Sequence, residues 1–279
     1  MKNHALAAGW LIILAVLLGA VTPETQSSFS GTASELWQKA VAVFAKNNDL
    51  FPGQVRTSVA MLDGKGRPKK TFERELRYFL DSQGKISAEL VWAKDNEQDV
   101  TAKVKAEIHE EERMARSGEE SENSMTFSLR DVPFDPEKQD QVEVEAHPDA
   151  ASLFGYSCRR FDFALRISGK TAGRRKGKPV TMKGMAWIDE ASGAPVKFEF
   201  APDPLPSKVK SLWTVFTYGP GPNGEWLLKE IASEGVGGIL FIKKRFRSRV
   251  ELDDYFPTPR AEEGSAPTNP DLEQNIPRN

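Results

Sequence analysis

The stretch RFDFALRI, residues 160–167, sets Phe161, Phe163, Leu165 and Ile167 at alternate positions, with Arg160, Asp162 and Arg166 between them. A period of two sends successive side chains to opposite faces, so this is a strand with one buried and one wet face. The alternation recurs downstream. Val196, Phe198 and Phe200 oppose Lys197 and Glu199, while Leu212, Thr214, Phe216 and Tyr218 run beside Trp213 and Val215. Such aromatic and β-branched side chains suit a pleated, half-buried surface. Residues 226–231 and 239–252 complete the series, and Ser192-Gly193, Pro222-Asn223-Gly224 and Gly237-Gly238 supply turns between its members. Regular strands, tight turns and few helical crossovers predict a mainly β (α+β) chain whose antiparallel sheet curves toward an unclosed barrel.

Upstream of this series, Leu36, Ala40, Val43 and Phe44 share a helical stripe behind the capping residue Ser34, which predicts an N-terminal amphipathic helix. Val55, Thr57, Val59 and Met61 then alternate with Arg56, Ser58 and Ala60; Asp63-Gly64 offers a turn; and Ile86, Ala88, Leu90 and Trp92 share one face of another strand. Val100, Val104 and Ile108 fit a helix, yet with Ala102 and Ala106 they also alternate. The Ala, Lys and Glu content favours the helix, and both readings stay open. Residues 109–149 read as a polar insertion, because 109–123 are densely charged and Pro133, Pro136 and Pro148 follow. The expected layout is one domain over 34–256 and a disordered, proline-rich tail over 257–279.

Residues 1–22 carry Lys2, the apolar run WLIILAVLL at 10–18, then Gly19 and Ala20. This reads as a secretory signal, with an uncleaved membrane anchor as the alternative because the run approaches the length of a span. Either places the domain in the periplasm. A single Cys excludes a disulfide framework, and 3 His leave little for a His-rich metal site. The 38 basic residues are matched by 40 acidic ones, a net charge of −2, which argues against a nucleic-acid partner.

Several motifs imitate active sites. Residues 219–224 (GPGPNG) spell the letters of a nucleotide loop, but prolines remove its N–H donors and a strand pattern follows, so a hairpin turn is expected. In residues 109–113 (HEEER), Arg113 stands where a zinc site needs a second His, and arginine offers no lone pair. In residues 155–159 (GYSCR), Arg159 replaces the glycine of a nucleophile elbow, leaving Ser157 ordinary. A Cys158–His147 thiolate pair is a further candidate, against a buried structural cysteine. The acidic pairs Asp253-Asp254, Glu119-Glu120 and Asp189-Glu190 adjoin turns or polar stretches, where solvated charge is ordinary.

Two features point to binding instead. Lys243, Arg245, Arg247 and Arg249 occupy alternate positions, opposite a face that carries Ile242, Phe246, Val250 and Leu252, and form a basic stripe able to meet phosphate head groups or an acidic partner; a solvated sheet face is the plainer reading. The run RRKGK at 174–178 is a second basic cluster, suited to an anionic membrane surface. Aromatics are spread over the strands, and Trp187, Phe198, Phe200, Trp213, Phe216 and Trp226 are the candidate lining of an apolar cavity, against a filled core.

The order of elements, together with the hairpin GMAWIDEASGAPVK at 184–197, Leu205-Pro206 and GGILFIKK at 237–244, resembles the LolA/LolB-like superfamily of bacterial envelope proteins. The resemblance spans residues 34–256. It implies an unclosed antiparallel barrel with helices over its concave side, and an apolar cavity that receives acyl chains of lipids or lipoproteins. None of the family's residue-specific motifs is matched, so no functional residue is carried over. The resulting expectation is a monomeric, non-enzymatic periplasmic protein that needs no cofactor or metal and binds a lipid or lipoprotein acyl chain. The alternative is an interaction or scaffold component of an envelope complex, with a membrane-protein partner and no cavity. A hydrolase built on Cys158 and His147 or on Ser157 is the third class.

Overall fold

The computed structural model describes residues 31–47, 49–116, 132–167, 179–205, 209–239 and 242–258. The leader, the basic run 174–178 and the tail beyond Thr258 lie outside the described residues. Helix α1 (Gly31–Lys46) leads through β1 (Leu50–Phe51) to a first meander of β2 (Gln54–Leu62), β3 (Pro68–Leu80), β4 (Ile86–Asp95) and the short β5 (Gln98–Asp99). Helix α2 (Thr101–Arg116) and a 3-10 turn (Pro136–Gln141) precede a second meander. Its strands are β6 (Val142–Leu153), β7 (Tyr156–Ile167), β8 (Val180–Asp189), β9 (Pro195–Asp203), β10 (Val209–Pro220), β11 (Trp226–Ile239) and β12 (Ile242–Asp253), and β13 (Phe256–Pro257) follows.

The two meanders form one 11-stranded antiparallel sheet in the order β5-β4-β3-β2-β12-β11-β10-β9-β8-β7-β6. They are zipped together by β12 and β2, in register from Arg245 opposite Leu62 to Asp253 opposite Gln54. The outer strands β5 and β6 do not pair with each other, so the sheet is unclosed, the mainly β architecture that the alternation predicts. β1 and β13 pair separately, and Thr258 donates to the Asp49 carbonyl. Order therefore continues past Phe256, where the sequence predicts that the fold stops.

Register assigns every strand residue to a face. One row crosses the sheet through Phe163, Gly184, Phe200, Thr214, Ser233, Ser248, Val59 and Phe72. These residues, and those two positions away along each strand, belong to the face that carries both helices. Gly184 is required in this row, since a Cβ there would stand 1.8 Å from the Glu199 carbonyl oxygen. Under α1 the covered face is tightly filled. Phe198 stacks on Phe216 with centroids 4.5 Å apart, and Phe134, Phe163, Phe200 and Tyr218 complete the cluster. Trp37 meets Phe134 and Phe161, and its Nε1 donates to Gln139 Oε1 at 2.9 Å. Trp37, Ala40 and Val41 are the buried residues of α1 and Val43 is only half-buried, so the predicted stripe is rotated toward Trp37.

Two sequence expectations change. The segment left open at Val100 is helix: Asp99 accepts from the Thr101 N–H at 2.8 Å, and Val100, Val104 and Ile108 pack on Phe72, Leu76, Leu90 and Ala93. The i, i+4, i+8 spacing wins because β4 already presents an apolar face for it to cover. The polar insertion 109–149 is also smaller than predicted. Val132, Phe134 and Val142 are buried in the α1 core, and β6 starts at Val142. Its prolines shape structure here. Pro136 opens the 3-10 turn behind the capping side chain of Asp135, and Pro148 sits where β6 slips register between Ala146 and Ala150.

Candidate functional site

The six aromatic candidates do not converge. Phe198, Phe200 and Phe216 lie on the helix face, but their rings fill the core against one another and Phe134. Trp226 shares that face, with Nε1 donating to the Pro195 carbonyl and its ring edge-on to Tyr156. Trp187 and Trp213 are corrections to the expected lining. Trp187 pairs with Lys197, and Trp213 follows Leu212, so parity turns both to the opposite, open face. There Lys197 Nζ stands 4.6 Å over the Trp187 ring and Trp213 is 38% exposed. An open cleft of about 860 Å³ runs beside Trp213, lined by Ala201, Asp203, Leu205, Lys210 and Glu234 among others.

The basic stripe is built as the alternation predicts, yet its charge is largely offset. Arg245, Arg247 and Arg249 project from the open face; the Lys243 backbone continues the register, and its side chain is outside the described residues. Arg247 meets Glu234 at 3.2 Å, and Arg249 meets Glu230 at 2.6 Å and Glu251 at 3.3 Å. Farther along, Arg56 pairs with Glu75 at 2.9 Å. Burial alone would raise the Glu75 carboxyl, but hydrogen bonds from Gln54, Arg56 and Trp92 together hold it below its usual range. The open face is thus a mixed-charge ladder that water covers at little cost.

Candidate catalysts are held in structural contacts. Cys158 is fully buried, and burial, then the charges of Asp189 and Glu190, push its thiol up to about 11. At neutral pH it stays protonated and is no nucleophile. His147 is engaged elsewhere, its Nε2 2.8 Å from Asp162 and its Nδ1 2.5 Å from Arg160. Ser157 donates to Glu190, which also binds Arg159, while Asp189 accepts from the Ser192 N–H and hydroxyl. Residues 219–224 form the predicted hairpin turn, with Gly224 at φ +86°. No group of His, Cys, Asp and Glu able to hold a metal ion occurs among the described residues.

What composition did not reveal is a strip on the helix face between the two cores. Val55, Thr57, Val59 and Met61 of β2, Phe246 and Ser248 of β12, Ser233 of β11 and Leu212 of β10 are all half-buried there. Val55, Val59, Met61, Phe246 and Leu212 belong neither to the cluster under α1 nor to the one under α2. Ile231 bounds the strip toward the first core and Phe72 toward the second. Phe246 lies across β11, where a Cβ on Gly235 would stand 2.6 Å from its ring. At one end the strip runs into the buried Val250 and Leu252. The other end lies between Lys70, which pairs with Asp95 at 3.2 Å, and the exposed Lys244. The alternation of β2 and the apolar side of β12 are visible in the sequence; which strand the helices leave uncovered is not.

No protein-family model matches the chain, and no curated protein matches it significantly. Among solved structures it is similar to a DUF1329 family protein from Desulfovibrio piger, at 9% identity and a TM-score of 0.33, over 80% of this chain and 92% of that one. It is also similar to MucB in a complex with MucA of Pseudomonas aeruginosa, at 6% identity and a TM-score of 0.22, over 82% of this chain and 100% of that one. These likenesses cover about four fifths of this chain without close superposition, so function is argued from this chain's own residues. No described helix is long and apolar enough to cross a membrane.

Proposed function

We propose that the chain is a non-catalytic periplasmic protein that holds the acyl chain of a lipid or lipoprotein along the strip between its two cores. The observation that carries this reading is the run of half-buried apolar side chains on β2, β12 and β10, flanked by surfaces that the helices do cover. From Val55 to Met61 the strip extends roughly 20 Å at strand rise, comparable to an extended fatty tail. Each methylene buried there contributes about 0.8 kcal/mol, so part of one tail suffices for binding without any reacting group. Lys244 and Lys70 stand at the end of the strip, where a carboxylate or phosphate head group would emerge. Of the six aromatic candidates, Phe216 keeps a supporting role opposite Ile231, and Phe198, Phe200 and Trp226 support from the packed side. The leader at 1–22 and the sequence resemblance favour the periplasm.

Titration of the purified chain with a dansyl-labelled fatty acid tests this. Saturable binding is expected, weakened tenfold or more by Val59→Asp with Met61→Asp. A chain that folds and gives no saturable signal would end the proposal. A second reading, an interaction module of an envelope complex, is favoured by the ring packing under α1, where Trp37, Phe134, Phe198 and Phe216 are packed against one another. It becomes the better account if the labelled fatty acid does not bind.

A further inference from the structure

Charge is not spread evenly along the strands. The turns at one end of the sheet carry Asp81, Glu190, Glu225 and Asp254 beside Lys85, whereas the other end carries Lys65, Arg67, Lys69, Lys70, Lys210, Lys244 and Arg245 against Asp63, Asp95, Glu97, Asp99 and Asp203. Within the basic end, Arg67 is matched by Asp63 and Lys70 by Asp95. Lys65, Lys69, Lys210, Lys244 and Arg245 are exposed, and Lys69 adds to the positive field around Asp63. Four of these five come together because β2 pairs with both β3 and β12. Leu62 is opposite Arg245 on one side and Pro68 on the other, so the β2–β3 turn and the start of β12 stand side by side. In a chain of net charge −2 this end therefore carries a surplus of cations, gathered where the β2–β3 turn meets β12.

We infer that this end docks on an anionic lipid bilayer, presenting Lys65, Lys69, Lys210, Lys244 and Arg245 to the head groups. Charge complementarity selects an anionic partner, and the strip selects a bilayer: its open end, between Lys70 and Lys244, lies in the same basic patch. A tail leaving a docked membrane would meet the apolar side chains of Met61 and Phe246 directly. The inference rests on the acyl-chain reading for its purpose, but the docking is measured separately.

The full chain is sedimented with vesicles of phosphatidylcholine alone and of equal parts phosphatidylcholine and phosphatidylglycerol. Binding to the second only, released by added salt, is expected, since each cation near such a surface contributes about fivefold. The triple variant Lys65→Glu, Lys69→Glu, Arg245→Glu should partition at least about 100-fold less by the same reckoning. Its affinity for the dansyl fatty acid should stay within about twofold, because none of the three touches the strip. Lys85→Glu, at the opposite end, should sediment like the parent. Equal binding to both vesicle types, or a triple variant that sediments like the parent, overturns the docking. So does retention on immobilised polyglutamate without binding to the mixed vesicles, which would indicate an acidic protein partner. Vesicle binding without fatty-acid binding supports docking and removes the acyl-chain reading alone.

Discussion

Under α1 and along β2 the chain uses similar alternating strands, and the outcomes differ. In β9 the alternate residues Val196, Phe198 and Phe200 are buried, the two rings beneath the helix and the Phe134 segment, whereas in β2 Val55, Val59 and Met61 are only partly buried. The same local pattern therefore yields a packed interior in one region and an accessible apolar surface in the other. The deciding variable is the covering layer: a strand can only offer its face, and burial depends on whether a helix is placed to accept it.

That contrast can be broken most forcefully at the packed side. Phe198→Ala should lower unfolding free energy by about 3–5 kcal/mol in urea titration, because a ring stacked on Phe216 and Phe200 leaves a cavity its neighbours cannot fill. Trp37→Ala should fall in the same range, with α1 loosened as well. Under the smaller α2, Leu90→Ala should cost about 2–3 kcal/mol, the low end for a leucine in a core where Ala93, Val104 and Ile108 can close in. Met61→Thr is the sharper test, since a half-buried residue should lose less than about 1.5 kcal/mol. If it costs as much as Phe198→Ala, the strip is ordinary interior and the contrast is false.

The open face supplies a pH handle. The folded Glu75 carboxyl lies below its usual range, so its stabilising effect is complete above about pH 4.3 and is lost as pH falls through the lower folded value. Glu75→Gln should lose stability at neutral pH and show a flatter acid-side profile, read by thermal melts across pH 2 to 7. Smallest of all, Arg249→Ala should shift stability by less than about 1 kcal/mol, since its partners Glu230 and Glu251 are substantially solvated.

Much of this architecture could be read from residue order. Strong alternation located the strands, and Asp63-Gly64, Ser192-Gly193 and Pro222-Asn223-Gly224 located turns, because strand period and turn chemistry are local. Val132-Pro133-Phe134 was hidden for the opposite reason: an apolar triplet amid charges has no period, and only its contact with Trp37 and Phe198 makes it core. The aromatic candidates divide between the two faces because composition does not assign a face. Trp187 and Trp213 lie one position from buried residues, and that single step puts them on the other side of the sheet. The strip was beyond reach for a similar reason, since it is defined by where two helices stop.

The seam between β12 and β2 also constrains how the molecule can be made. β2 is synthesised early, but its neighbour on one side is among the last strands to leave the ribosome, so the first meander must wait with an unsatisfied edge while the intervening chain is completed. Such long-range pairing slows folding and invites adhesion to other chains. A holding chaperone, or passage to its destination in an unfolded state, would keep that edge from finding the wrong partner first.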